Sequence, residues 1–270
     1  MKTPEEHLDL IKKQNYMVVK SNQLIQKSRY ELSVPEQRAI AYICSMIKPR
    51  TAFDKIKNSP FELEYQFNIK DYAEICGIND NGRVYEETKS LLRSLTQKVY
   101  WITLEDGSET TVNWVNKVWT NKRSGKARVR IDEDMALYLF DLQEKFTEYG
   151  LINILKMKSQ YSIRLYELFQ SYEWQKNKTF DIDELKHLLM VENVKSYVDF
   201  GKFRKKVLEV ALNEINQFTN LHVSMETETK GRKVVKVKFF IKDVFKSASK
   251  NRQTLFDNEK NGRKNENDKF

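Results

Sequence analysis

Two short segments constrain this chain more than any other feature. Phe67-Asn-Ile-Lys-Asp-Tyr72 and Phe180-Asp-Ile-Asp-Glu-Leu185 carry the same residue types in the same order: aromatic, capping residue, Ile, charged, acidic, apolar. Asn68 and Asp181 can accept from the first-turn N–H groups of a helix, and an acid three residues on suits its positive end. Each segment therefore starts a short helix, and what surrounds each also repeats.

Before the first copy, Ser33-Val-Pro-Glu36 is a capping box with proline in the first turn. It opens a helix to about Ile47, ended by Lys48-Pro49. Phe61–Phe67 alternates as a strand does. The short helix from Asn68 stops near Gly77, and a second helix spans about Val84–Val99. Strands Val99–Leu104 and Thr110–Val118 flank an Asp-Gly turn, and Lys126–Ile131 is a third strand. Before the second copy, Ile152–Trp174 reads as one long helix. After it comes a helix of about Phe200–Phe218, with Phe203, Val207, Val210, Ala211 and Ile215 on one side. Strands Leu221–Thr227 and Lys233–Ile241 follow, joined by a Gly-containing turn. Helix, strand, helix, helix, hairpin is the winged-helix order. The expectation is an α+β chain of two tandem winged-helix domains related by duplication. They cover 1–143 and 144–245, meet near Gln143–Leu151, and leave 246–270 as a polar, weakly ordered tail.

Several chemistries are poorly supplied. The longest apolar runs, Ala39–Cys44 and Met135–Phe140, are far below the about 20 residues of a spanning helix. Met1–Asn15 is polar and lacks the apolar core of a signal peptide, so a cytoplasmic protein without membrane contact is expected. Cys44 and Cys76 cannot build a disulfide framework and read as reduced and buried. His7, His187 and His222 are far apart, with no H-x-H, H-E-x-x-H or C-x-x-C, so no metal site is expected. Gly125-Lys126 and Gly201-Lys202 lack the glycine five residues earlier that a phosphate loop needs. Asp132-Glu-Asp134 and Asp181-Ile-Asp183 read as helix-start acids. The 13 tyrosines allow a nicking nucleophile in principle, but no histidine pair is there to hold its metal. No catalytic residue and no cofactor is expected.

The charge points to an anionic partner. Lys and Arg number 47 against 38 acids, a formal charge of +9. Lys202, Arg204, Lys205 and Lys206 fall in the first turns of the helix that a helix-turn-helix lays in the major groove. Lys230, Arg232 and Lys233 form the tip of the second hairpin. In the first domain Arg83, Lys89 and Arg93 lie along the equivalent helix, diluted by Glu86 and Glu87. Lys117–Arg130, which includes Lys122 and Arg123, contains no acid and reads as a phosphate-tracking loop. Double-stranded DNA is the expected partner, with the second domain the stronger contact.

Three groups of residues resemble a known family, the Rep_3-type plasmid replication initiators. They are Val18-Val-Lys-Ser-Asn22 with Leu32-Ser-Val-Pro-Glu-Gln-Arg38; Ser159-Gln-Tyr-Ser-Ile-Arg-Leu-Tyr-Glu-Leu168; and Phe203–Ile215 with Lys230-Gly-Arg232 and Val237-Lys-Phe-Phe-Ile241. The resemblance spans about Tyr16 to Val244. It implies two winged helices, binding to repeated origin sequences (iterons), a homodimer that represses its own promoter, and recruitment of the host replicative helicase. It implies no chemical step. The family's DNA-reading helix maps onto Gly201–Ile215, with Arg204, Lys205 and Lys206 at its basic positions. A winged-helix transcription regulator is the alternative reading, and a rolling-circle nicking initiator a weaker one.

Overall fold

The computed structural model describes residues 16–47, 61–79, 82–140, 142 and 146–246. The tail expected over 246–270 and the helix stop at Lys48-Pro49 lie outside them, apart from Lys246. Strand β1 (Met17–Ser21), helix α1 (Asn22–Lys27) and the short strand β2 (Ser28–Arg29) lead into α2 (Val34–Cys44). The α2 capping box forms: the Glu36 carboxylate accepts the Ser33 N–H and hydroxyl, each at 2.8 Å. β3 (Glu64–Asn68) is followed by α3 (Ile69–Ile75) and α4 (Val84–Leu95). The Asn68 side chain accepts from the Lys70 N–H at 2.8 Å, and the helix closes on Gly77 at φ +67°.

Next come β4 (Val99–Thr103), β5 (Glu109–Asn113), β6 (Val115–Asn121), β7 (Lys126–Ile131), α5 (Glu133–Ala136) and β8 (Phe146–Gly150). The expected strand Thr110–Val118 is broken at Trp114, whose fully buried side chain forms a corner between two sheets. Sheet β2-β4-β5 carries the Asp-Gly turn, and sheet β3-β7-β6 lies beside it in sequence. β8, in the stretch where the domain boundary was expected, pairs antiparallel with β1.

The helix expected over Ile152–Trp174 is interrupted. It is α6 (Ile152–Leu155), a break, α7 (Gln160–Tyr172) and a final turn of 3₁₀ helix. Ser159 caps α7, accepting from the Tyr161 N–H at 3.2 Å. A serine that competes for helical N–H groups starts a helix more readily than it sits inside one. α7 is the spine of the molecule. Ser162 through Phe169, Ser171 and Tyr172 are all buried, so both faces of the helix are covered. The N-terminal elements cover one side and the C-terminal domain another. Lys20 of β1 meets Glu167 at 2.6 Å, and Phe169 lies 4.8 Å, ring to ring, from Phe239.

β9 (Asn177–Asp181) and α8 (Ile182–Leu188) precede α9, residues 200–218. Strands β10 (Leu221–Lys230) and β11 (Lys233–Asp243) close the sheet β10-β11-β9. The repeat seen in sequence is a repeat in space. Phe67 and Phe180, Ile69 and Ile182, and Tyr72 and Leu185 are all buried at equivalent places. The two sheets share one topology, with β9 matching β3, β11 matching β7 and β10 matching β6. The first wing is therefore β6–β7. The Asp-Gly hairpin β4–β5 has no counterpart in the second domain. Both cysteines are free and buried, and burial pushes each thiol up to about 12.

Candidate nucleic-acid interface

α9 starts from Asp199, whose carboxylate accepts the Gly201 N–H at 2.8 Å. Its backbone is α-helical over Phe200–Phe203, π-helical over Arg204–Leu208 and α-helical over Glu209–Phe218. Phe203, Val207, Leu208, Ala211, Leu212 and Ile215 are buried. Val210, expected among them, is 36% exposed, and Leu208 and Leu212 take the inner positions. The π turn explains the exchange, because its wider winding displaces every later residue around the axis. Lys202, Arg204, Lys205 and Lys206 are all exposed on the other side. The wing stands next in the chain. Lys230 pairs with Lys233 across the turn, Gly231 takes φ +64°, and Lys230, Arg232 and Lys233 are exposed. β9 pairs only with residues 236–240 of β11, so this tip projects beyond the three-stranded part as a two-stranded arm. Farther down, Lys236 lies opposite Glu228 and Lys238 opposite Glu226, so the basic charge is concentrated at the tip.

The first domain repeats the arrangement with a different balance. In α4, Val84, Thr88, Leu92 and Leu95 face inward, and Glu86, Glu87, Lys89 and Arg93 face outward, with Arg83 at the N-cap. The run expected as a loop, Lys117–Arg130, is the β6–β7 hairpin itself. In β7, the strand expected over Lys126–Ile131, apolar Ala127 and Val129 alternate with the cations; what the loop reading missed is that β6 runs on to Asn121 and pairs with it. Arg123 is exposed at its tip. Lys122 reaches back to α4, 3.2 Å from Glu86 and 5.9 Å from the Tyr85 ring centroid, so wing and helix are tied together. The outward face of the hairpin also holds a feature not foreseen from residue types. Trp119 lies under Arg128, 4.1 Å from its ring centroid, and beside Lys117 at 4.9 Å. Its signal in the sequence is the cross-strand pairing of Trp119 with Arg128, invisible until the hairpin register is known.

Of the acids at helix starts, Asp132 caps with its side chain, whereas Asp181, expected to do the same, stands at the N-cap of α8 without a side-chain capping hydrogen bond. Asp132 accepts the Asp134 N–H at 3.0 Å, and Asp183 lies in the first turn of α8. Among the described residues no group of His, Cys, Asp and Glu could hold a metal, and no helix is long and apolar enough to cross a membrane.

The first winged-helix (WH1) model of the initiator replication protein family matches residues 17–170, and its second winged-helix (WH2) model matches residues 181–241. A replication initiation protein of Escherichia coli is 26% identical over 218 residues, which cover 78% of this chain and 65% of that protein. The PI protein of Escherichia coli is 34% identical over 114 residues, 37% of each chain. The chain thus spans less than two thirds of the length of either relative. Domains 2 and 3 of RctB superpose with a TM-score of 0.45 at 12% identity, over 80% of this chain and 85% of that one. The WH1 domain of the replication protein MSBI1.176 gives 0.29 at 14% identity, over 48% and 88%.

Proposed function

The chain belongs to the initiator replication protein family, and from that membership we propose that it initiates plasmid replication by binding repeated origin sequences through its two winged-helix domains. The single observation that carries this reading is the grouping of Lys202, Arg204, Lys205 and Lys206 at the start of α9, with Lys230, Arg232 and Lys233 on the wing that follows. A winged helix lays the N-terminal part of its second helix in the major groove and reaches the flanking backbone with its wing. Two such domains in one chain suit contacts in successive major grooves, about one helical turn apart. The finer reading includes a dimer that represses the chain's own promoter, recruitment of the host replicative helicase, and action in the cytoplasm. The protein carries out no chemical step in this proposal.

The test is selection from a random pool of duplexes by the full chain, followed by competition against a scrambled duplex. A selected site of roughly 20 base pairs, repeated beside the gene, is the expected result. Absence of any sequence preference overturns the reading. In parallel, the purified protein is expected neither to nick a supercoiled origin plasmid with Mg²⁺ or Mn²⁺ nor to hydrolyse ATP. Nicking abolished by one Tyr→Phe substitution would refute the non-enzymatic part.

A further inference from the structure

We propose that Glu209 sets the base preference of α9 by fixing the guanidinium of Arg204, so that the pair, rather than Arg204 alone, reads a guanine; this rests on α9 being the base-contacting helix. The two residues are joined twice. The Glu209 N–H donates to the Arg204 carbonyl, the five-residue bond of a π turn. The Arg204 Nε donates to the Glu209 carboxylate at 2.8 Å. On a regular α-helix, positions five apart lie about 140° apart around the axis. Side chains three or four apart meet there, and those five apart face different directions. The π turn is what brings this acid under this arginine.

The pair contributes little to folding, since the side chains are 49% and 43% exposed. Its consequence is geometric. A free arginine must freeze several torsions when it binds. With Nε held by a carboxylate, the guanidinium plane is fixed, and both terminal nitrogens remain as donors. That is the fork which pairs with guanine O6 and N7. Lys202, Lys205 and Lys206 cannot act this way, because an ammonium on a flexible stem is a point charge suited to phosphate. The placement of the acid supports the same conclusion. A carboxylate beside the basic stretch would only weaken a helix that merely tracked phosphates.

The experiment uses the full chain and the duplex it selects from a random pool. Affinities are measured for that duplex, for each duplex with one G·C pair replaced, and for a scrambled duplex. The proteins compared are wild type, Arg204→Ala, the same change combined with Lys205→Ala and Lys206→Ala, Glu209→Ala and the isosteric Glu209→Gln. Removing a negative charge raises affinity for all DNA, so the reading is the discrimination ratio. Arg204→Ala is expected to lose discrimination at one G·C pair. Both Glu209 variants are expected to lose about tenfold at that same pair, with unchanged discrimination elsewhere and an unchanged Tm. Full discrimination in both Glu209 variants, beside a loss in Arg204→Ala, overturns the proposal and leaves the function of α9 standing. No loss of discrimination in Arg204→Ala also overturns the proposal, because Arg204 then reads no base; the role of α9 itself falls only if Arg204→Ala combined with Lys205→Ala and Lys206→Ala keeps full discrimination.

Discussion

Glu167 accepts from Lys20 at 2.6 Å, from the Tyr149 hydroxyl, and from the Tyr30 hydroxyl at 3.4 Å, with Lys20 and Glu167 both buried. Removing one partner of a buried ion pair strands the other charge. Lys20→Met and Glu167→Gln are each expected to cost about 3–5 kcal/mol, and an apolar pair replacing both much less. Urea unfolding of the three variants checks this. The pH dependence follows from the directions of the shifts. Burial raises the Glu167 carboxyl, but Lys20, Tyr149 and Arg164 overcome it and hold the group below its ordinary 4.5. Burial lowers the Lys20 ammonium, yet Glu167 raises it above its ordinary 10.5. The carboxylate's contribution is therefore complete above 4.5 and is lost as pH falls through the folded value. That of the ammonium is complete below 10.5 and is lost as pH rises through its own folded value. The stability gap between wild type and Glu167→Gln is expected to be flat at neutral pH and to close in acid, in urea midpoints measured against pH.

At the scale of elements, the two wings and the two groove helices differ in how freely their cations are held. Lys122 is engaged by Glu86, whereas Lys202, Lys205 and Lys206 stand exposed at the start of α9. Arg204→Ala combined with Lys205→Ala and Lys206→Ala is expected to damage specific binding more than matched changes at Arg83, Lys89 and Arg93. Competition between selected and scrambled duplexes measures it. Each lost base contact costs about 1–3 kcal/mol and relaxes one position, while a lost phosphate contact weakens all sequences alike. The fold is expected to survive in both, since these side chains lie off the buried faces. The elements themselves were largely legible, because caps and turns act locally: Ser33, Asn68 and Gly77 each stand where their chemistry predicted. What escaped was nonlocal. Which hairpin is the first wing depends on whether β3 pairs with β7 or β5, and no residue pattern states that. The inward place of Leu208 and Leu212 follows from a π turn that α-helical spacing cannot anticipate.

For the molecule as a whole, exposed cations at two helices and two wings imply displacement of condensed counterions. The logarithm of affinity is expected to fall against the logarithm of salt concentration with a slope on the order of −5 or steeper, if about six phosphates are neutralised. Titrations at several ionic strengths read the slope directly, and a nearly flat line would remove the basic residues from the interface. The pairing of β1 with β8 acts earlier in the protein's life. Met17 is matched with Gly150, so β1 leaves the ribosome long before β8 and has no strand partner until most of the first domain has been made. At roughly 5–20 residues per second that wait is on the order of ten seconds. Throughout it the Lys20 ammonium is without Glu167, which follows β8 in the chain. Nascent chains halted before residue 146 are thus expected to expose this edge to chaperones, and chains halted well beyond it to have hidden it.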